Sequence, residues 1–296
     1  EILAERHGVD AASITLGAGS NDILELIASA YLDADTSAIY SEYGFLVYAL
    51  ATARSGAESI VVGACDYGHD LAAMAAAVKN NTRVIYIANP NNPTGTYTKH
   101  NDLVALLDFV PASVLVVLDE AYCEYINKAD YPDGIALQKR YANLIITRTF
   151  SKAYGLGGLR VGYSISDPII ADMLNRVRQP FNVTSLSLAA AQAALNDDAY
   201  LAESVALNDA GIQQLESGFT YLGLNYIKSA ANFITFETPC LASDINQKLL
   251  QLGVIVRPVA NYGLVNHLRV SIGLEDENTQ FLQALTQILE TSKSDK

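Results

Sequence analysis

The sequence contains few cysteines and no arrangement of them that suggests a disulfide or metal framework. Cys65, Cys123 and Cys240 lie far apart, form no CxxC pair and have no cluster of histidines beside them. This spacing argues against a stapled secreted domain and against a zinc site. It favours reduced thiols, buried or half-buried, in a cytosolic protein.

Long apolar segments and an excess of positive charge are also missing. No apolar run approaches the roughly 18 residues of a membrane-spanning helix, and the first residues lack the basic start and apolar core of a signal peptide. Lys and Arg number 19 against 32 Asp and Glu, a net charge of −13, which argues against nucleic acid and anionic membranes as partners. With 50% hydrophobic residues, the chain can bury a large core, and we predict a soluble cytoplasmic protein.

Short β-rich segments alternate with helical ones from Ile14 to about Ile165. The predicted strands are Ala38–Ser41, Ser59–Val62, Val84–Ala88, Val114–Asp119, Leu144–Thr147 and Val161–Ile165. The predicted helices between them are Asn21–Tyr31, Tyr43–Arg54, Asp70–Val78 and Asp102–Phe109. Near-continuous apolar strands of this kind are typical of a largely parallel sheet that is covered on both faces. The pattern therefore predicts an α/β domain whose ligand binds at the carboxyl ends of the strands.

The pattern changes after Asn182. A long helical region from Ser185 to Gly218, broken near Asn196, precedes a smaller α+β domain at the C-terminus. Its predicted elements are Asn232–Glu237, Ser243–Gln251, Val254–Arg257, Leu268–Ser271 and Asn278–Thr291, and the polar tail 292–296 is predicted to fray. The predicted division is a remnant of an N-terminal segment at 1–13, a large domain at 14–205 and a small domain at 206–296. Residues 1–8 resemble the end of a helix, so we expect a further segment ahead of them.

The segment 148–162, RTFSKAYGLGGLRVG, presents one lysine in a loop of small residues after a predicted strand. Partial burial lowers the pKa of a lysine, which suits Lys152 to imine chemistry. Ser151, Thr149 and Arg160 carry the hydroxyl and guanidinium groups that bind a phosphate dianion. A lone Ser-Lys pair is more typical of a solvated loop, and a dinucleotide-binding loop fits badly because Arg160 replaces its third glycine.

A second candidate, Asp119-Glu120-Ala121-Tyr122, follows the apolar segment Val114–Leu118 directly. An aspartate at the end of a buried strand is costly unless it has a cationic partner. A pyridinium nitrogen would be such a partner, and the pair would keep the ring protonated as an electron sink. Tyr122 could then donate to the ring's phenolic oxygen. The same residues are also typical of a helix N-cap.

Glycines open the predicted helix that begins near Asn21. In LGAGSND, Gly19, Ser20 and Asn21 would expose free backbone N–H groups, which form a phosphate site at a helix N-terminus. An ordinary capped helix is the alternative interpretation.

Two further segments follow predicted strands. The turn Asn89–Gly95 is made rigid by two prolines and a glycine, and Asn92 within it could direct its amide toward a ring oxygen. Tyr43 could lay its ring on a cofactor face or simply pack in the core. Each signal is weak alone, and their order along the chain makes the set specific.

This set of segments resembles the fold-type I pyridoxal-phosphate aminotransferases, and within them the histidinol-phosphate aminotransferase family, from Gly17 to the final helix. The resemblance implies a three-layer, largely parallel sheet with helices on both faces and a smaller α+β C-terminal domain. It implies Lys152 as the Schiff-base lysine, Asp119 as partner of the pyridine nitrogen, Tyr122 and Asn92 at the ring oxygen and Tyr43 stacked on the ring. The residues that it implies around the phosphate of pyridoxal 5'-phosphate are Gly19, Ser20, Asn21, Thr149, Ser151 and Arg160.

The resemblance also extends to two arginines near the C-terminus. Arg269, in HLRVSIG, corresponds to the arginine that binds the substrate carboxylate, and Arg257, in GVIVRP, to one that helps to bind the substrate phosphate. Surface salt bridges are the alternative for both. The family further implies a homodimer and an N-terminal arm over the site, to which nothing in this sequence corresponds.

The implied reaction is amino transfer between a small-molecule amino donor and a 2-oxo acid, with histidinol phosphate and 2-oxoglutarate as the expected pair in histidine biosynthesis. An aromatic amino-acid aminotransferase shares the same cofactor motifs. A pyridoxal-phosphate decarboxylase acting on a phosphorylated amino acid is another alternative. A non-catalytic or regulatory relative without the arm is the alternative from a different functional class.

Overall fold

A seven-stranded sheet organises the first two thirds of the chain in a computed structural model that describes residues 1–294. Its strands are β1 (Ile14–Gly17), β2 (Ser37–Ser41), β3 (Glu58–Val62), β4 (Thr82–Ala88), β5 (Leu115–Asp119), β6 (Leu144–Thr149) and β7 (Gly162–Ile165). They lie in the order β1-β7-β6-β5-β4-β2-β3. Strand β7 is antiparallel to β1 and β6, whereas the pairs from β6 across to β3 are parallel. The predicted largely parallel sheet is confirmed.

Helices cover both faces of this sheet. They are α1 (Ile2–His7), α2 (Ser20–Tyr31), α3 (Leu46–Arg54), α4 (Leu71–Ala76), α5 (His100–Phe109), α6 (Gly134–Gln138), α7 (Pro168–Val177) and α8 (Ser185–Leu195). Alternate residues of β5 point to opposite faces, so Val116 and Leu118 pack in the core with α4 and α5. Leu115 and Val117 pack in the other core, with α2, α3 and α7. The expected three layers are therefore present.

Local turns explain where these helices differ from the predicted ones. Helix α3 begins at Leu46 rather than at Tyr43, because Gly44 turns back and donates its N–H to the Ser41 carbonyl at 2.7 Å. Helix α7 was not predicted, although its start carries a recognisable signal. Asp167 accepts a hydrogen bond from the N–H of residue 169, and a proline occupies the first helical turn.

The remainder of the chain forms the expected α+β unit. Its elements are α9 (Asp198–Leu222), β8 (Tyr226–Ile227), β9 (Phe233–Glu237), α10 (Ala242–Gln251), β10 (Arg257–Pro258), β11 (His267–Ser271) and α11 (Glu275–Ser294). The antiparallel order is β10-β11-β9-β8. Phe219 of α9 stacks on Phe236 of β9 at 4.7 Å and anchors the core of this unit. The predicted boundary after residue 205 falls inside α9, and it stays a prediction.

The predicted strand Val254–Arg257 is wrong over most of its length. Gly253 is left-handed (φ 77°) and Val254 donates its N–H back to the Leu249 carbonyl, so this segment completes the C-terminus of α10. Ile255 is 85% exposed, and pairing with β11 begins only at Arg257.

The cysteines are free, but Cys65 and Cys240 are exposed and only Cys123 is half-buried, so the predicted burial of the thiols is wrong for two of them. Helix α11 includes positions 292–294 of the tail that was predicted to fray, and positions 295 and 296 lie outside the described residues. Among the described helices, none combines the length and the apolar character that crossing a membrane requires.

Candidate active site

A cavity of about 190 Å³ opens where β4, β5 and β6 end beside the first turn of α2. Parallel strands bring their carboxyl ends to one edge of the sheet, which is why segments distant in sequence meet there. The predicted site residues that line the cavity are Ser20, Asn21, Asn92, Asp119, Tyr122, Thr149, Ser151, Lys152 and Arg160. Phe45, Ala88, Pro90 and Ala121 complete the lining.

Lys152 follows β6 in a loop that is fixed by its own backbone. Gly155 donates its N–H to the Lys152 carbonyl at 2.9 Å, and the lysine Nζ lies 5.2 Å from the centre of the Tyr122 ring. Burial lowers the pKa of Lys152, the positive charge of Arg269 lowers it further, and Asp119 opposes the shift. The larger neutral fraction makes this amine a better nucleophile than a solvated lysine.

Asp119 ends β5 as a buried carboxylate held by neutral donors. Its Oδ1 accepts from Thr147 Oγ1 at 3.1 Å, and its Oδ2 accepts from the Tyr48 hydroxyl at 2.9 Å. Burial raises the pKa of Asp119, and these hydrogen bonds oppose the rise. The next helical turn is capped at Tyr122 without a side-chain bond, so Asp119 is not a helix cap. A buried anion of this kind fits a cationic ring nitrogen.

The first turn of α2 and Arg160 form a cradle for an anion. Arg160 donates from Nη1 to Ser151 Oγ and to the Gly157 carbonyl, each at 3.0 Å. Gly19 has φ +87°, and a Cβ atom there would lie 2.2 Å from Arg160 Nη2. The free N–H groups at the start of α2 beside this guanidinium suit a phosphate dianion.

A second glycine, Gly162, lets its strand pack closely against the start of α2. A Cβ atom on Gly162 would lie 2.3 Å from the Ser20 nitrogen. The Thr149 hydroxyl links two segments beside the cradle. It donates to the Val161 carbonyl at 3.3 Å and accepts from the Ser151 N–H at 3.1 Å. Thr149 therefore fixes the loop that carries Ser151.

The two predicted substrate arginines lie side by side in the small sheet. Arg269 donates from Nη1 to Asn92 Oδ1, its guanidinium lies 4.8 Å from the centre of the Phe233 ring, and its buried Nε has no hydrogen-bond partner among the described residues. Arg257, which is exposed, pairs with Arg269 in the antiparallel register. Like charges directly opposite each other are destabilising, so a bound anion would relieve their repulsion.

Phe45, for which no role was expected from the sequence, lines the cavity, whereas Tyr43 does not. The Tyr43 ring stacks on Tyr67, with the ring centres 6.0 Å apart, and does not line the cavity. Phe45 lines it instead, because the turn at Gly44 displaces the start of α3. Sequence reasoning also missed Tyr48, whose only signal was an aromatic residue in the first turn of a helix after a strand.

Comparison with known proteins places this geometry in a family. A family model described as aminotransferase class I and II matches residues 1–285. The chain belongs to this family. It is 58% identical over 288 residues to histidinol-phosphate aminotransferase 2 of Pseudomonas fluorescens, a match that covers 97% of this chain and 78% of that protein. The histidinol-phosphate aminotransferase 2 of Pseudomonas aeruginosa is 57% identical, with the same coverage of both proteins.

A solved structure agrees with these relatives. The histidinol-phosphate aminotransferase of Sinorhizobium meliloti, in complex with pyridoxal-5'-phosphate, superimposes with a TM-score of 0.91 at 31% identity. That match covers 98% of this chain and 80% of the other. The predicted family, its fold, aminotransferase chemistry and pyridoxal phosphate as cofactor are confirmed.

Gly19→Ala tests the phosphate cradle. The new methyl group would displace Arg160, so we expect the dissociation constant of pyridoxal phosphate to rise roughly tenfold or more, as for loss of one hydrogen bond to a charged group. Titration of the cofactor absorbance measures this constant. Gly223→Ala is the matched control, since Gly223 also has a positive φ (+70°) and its Cβ would meet nothing within 4 Å. Equal constants for the two variants would contradict the cradle.

Proposed function

We propose that this enzyme transfers the amino group of histidinol phosphate to 2-oxoglutarate, as a step of histidine biosynthesis. The observation that carries the proposal is the pair Arg257 and Arg269, which face each other across β10 and β11 beside the lysine cavity. An amino donor with a phosphate dianion suits two adjacent guanidinium groups better than a carboxylate does. The names of the relatives at 58% and 57% identity support the same substrate.

Each residue of the cavity has a proposed task. When bound, pyridoxal phosphate supplies an electron-accepting ring that stabilises negative charge at the substrate Cα. Lys152 holds the cofactor through its amine, and once displaced it moves the proton at Cα. Asp119 holds the proton of the ring nitrogen, and Tyr122 and Asn92 donate to the ring oxygen.

The remaining contacts position the cofactor. The backbone N–H groups of Ser20 and Asn21, the Ser20 and Ser151 hydroxyls and Arg160 bind its phosphate. The Gly19 N–H, which was expected to be free, donates instead to the Gly17 carbonyl at 2.8 Å. Phe45 lines the cavity and is therefore a further candidate for contact with the ring, and the stacking of Tyr43 stays a prediction. The fit of these groups to pyridoxal phosphate rests on the buried Asp119 carboxylate and on the cradle that a Cβ at position 19 would fill.

Lys152→Ala tests the attachment of the cofactor. We expect the variant to lose amino transfer and covalent labelling by borohydride reduction, because the amine that forms the imine is absent. Mass spectrometry of the reduced protein measures the label. Lys79→Ala, which removes a surface lysine paired with Glu58, should be labelled like the wild type. Labelling that persists in Lys152→Ala would contradict the assignment.

Arg257→Ala tests substrate choice. Histidinol phosphate carries a phosphorylated hydroxymethyl group where an amino acid carries its carboxylate, so the phosphate alone provides the anionic handle. Loss of one charge-assisted contact should lower kcat/KM for histidinol phosphate by roughly one to two decades. The loss should be much smaller for phenylalanine or tyrosine, which Arg269 can bind.

The control for this comparison is Arg140→Ala, which removes an exposed arginine that pairs with Asp108. Arg140→Ala should leave kcat/KM unchanged for histidinol phosphate and for the aromatic amino acids. Equal losses in Arg257→Ala would show that Arg257 does not read the phosphate. A wild-type preference for the aromatic acids would favour the aromatic aminotransferase.

We also propose that the enzyme is a cytoplasmic homodimer. Helix α7 exposes an apolar stripe of Ile169, Met173 and Val177, spaced four residues apart, and Phe181 beyond it is 95% exposed. An apolar surface of this kind is typical of an association face. The location is proposed because the substrates are charged metabolites of amino-acid biosynthesis.

Sedimentation of the active holoenzyme measures the oligomeric state, and a dimer is expected. Met173→Lys should shift the equilibrium toward monomer, because it places a charge in the apolar stripe. A wild-type enzyme that sediments only as a monomer while active would contradict the proposal.

A further inference from the structure

The carboxylate of Asp119 is approached from two sides. Thr147, directly paired with Asp119 on the neighbouring strand, donates to Oδ1. Tyr48 comes from α3, a separate layer of the fold, and donates to Oδ2 at 2.9 Å. Together with the backbone N–H of Ala121, these two hydroxyl donors occupy three of the roughly four lone-pair sites of the carboxylate and leave one available to the cavity.

We infer that Tyr48 is a positioning residue, whose hydroxyl keeps Asp119 ionised and directed at the ring nitrogen of the cofactor. The inference rests on the proposed role of Asp119. It assigns to Tyr48 a function in the chemistry although its side chain does not line the cavity.

The Tyr48 ring is held in one orientation. It is fully buried and lies parallel to the Tyr86 ring, with centres 4.9 Å apart and an interplanar angle of 6°. The Tyr48 ring also makes an edge contact with the Phe45 ring, at 5.9 Å between centres and an interplanar angle of 85°. The start of α3, from its N-cap residue Phe45 to Tyr48, therefore supplies both a side chain that lines the cavity and a donor to Asp119.

The hydroxyl of Tyr48 can act only as a donor toward a charged Asp119. Burial and the neighbouring carboxylate raise the pKa of Tyr48 well above its ordinary value, so the phenol stays protonated. A phenol O–H that donates to a carboxylate makes it less basic, because the bond stabilises the charged form.

The basicity of Asp119 decides where the proton between its carboxylate and the ring nitrogen resides. Between Asp119 and a ring nitrogen, a single proton is shared, and it stays on the nitrogen only while the carboxylate is the weaker base. Burial already raises the pKa of Asp119. Removing the Tyr48 hydroxyl would raise it further, and the proton would move to the carboxylate and leave the ring neutral. A neutral ring is a weaker electron sink for the substrate Cα.

Tyr48→Phe and Tyr86→Phe form a matched pair for the test. Both remove one hydroxyl from the same stacked pair of buried rings, but the Tyr86 hydroxyl has no hydrogen-bond partner among the described residues. The holoenzyme is prepared with pyridoxal phosphate labelled with ¹⁵N in the ring, and its ¹⁵N chemical shift reports whether the nitrogen carries a proton. Rates with a saturating amino donor are measured in parallel.

In Tyr48→Phe the ¹⁵N signal should move toward the neutral-ring position. The kcat should fall about tenfold with little change in KM, as expected for the loss of one hydrogen bond to a charged group. Tyr86→Phe should match the wild type in both measurements. A 3-fluorotyrosine at position 48 keeps the donor and makes it more acidic, so the ring nitrogen should stay protonated; a neutral ring in that protein would overturn the inference even if Tyr48→Phe did not fold.

Asp119→Asn separates the failure of this inference from the failure of the proposed function. A protonated ring in Tyr48→Phe, together with a neutral ring in Asp119→Asn, would overturn the role of Tyr48 and leave that of Asp119 intact. A protonated ring and a normal rate in Asp119→Asn would show that the proposed role of Asp119 itself is wrong.

Discussion

A carboxylate that must stay charged inside the protein is the constraint on which the rest of the site depends. Burying an anion costs several kcal/mol unless donors or cations surround it. The fold meets this cost at Asp119 with hydroxyl groups from a neighbouring strand and from a helix in another layer. Both hydroxyl donors are neutral, so they do not cancel the negative charge of Asp119. The groups that can compensate it are cationic ones in the cavity, such as Lys152 or a cofactor ring.

The next residue along the chain meets the same problem differently. Glu120 is fully buried and binds Arg148 through two contacts, at 2.7 and 2.8 Å. Its charge is neutralised within the protein, whereas that of Asp119 is left partly uncompensated. Arg148 belongs to β6, the strand that leads to Lys152, so this ion pair also ties together the two strand ends that carry the reactive groups. The two adjacent acidic residues thus differ in their partners, an arginine for Glu120 and neutral donors for Asp119.

Much of this arrangement could be predicted from the sequence because buried parallel strands have a distinctive composition. The apolar strands β4, β5 and β6 were identified nearly to their ends, and the polar residues that follow them had to meet at one edge. That logic located Lys152 and Asp119 together. It needed no information about side-chain direction.

The failures share a physical cause, since each depends on the direction of the chain over two or three residues. The turn at Gly44 decides that Phe45 rather than Tyr43 reaches the cavity, and hydropathy does not distinguish the two rings. Tyr48 contacts Asp119 because α3 packs near the end of β5. Local sequence patterns do not predict contacts between residues so far apart in the chain. The left-handed Gly253 turns the chain back onto α10, so most of the segment that follows does not form the predicted strand.

The turn from Asn89 to Gly95 joins the two sheets as well as lining the cavity. Asn92 accepts from Arg269, the Pro93 carbonyl accepts from Thr235, and the Gly95 carbonyl accepts from the Ala230 N–H at 2.8 Å. The small sheet that carries Arg257 and Arg269 therefore rests on the same turn that lines the cavity. A substitution within this turn would therefore change the position of Arg269 and the lining of the cavity together.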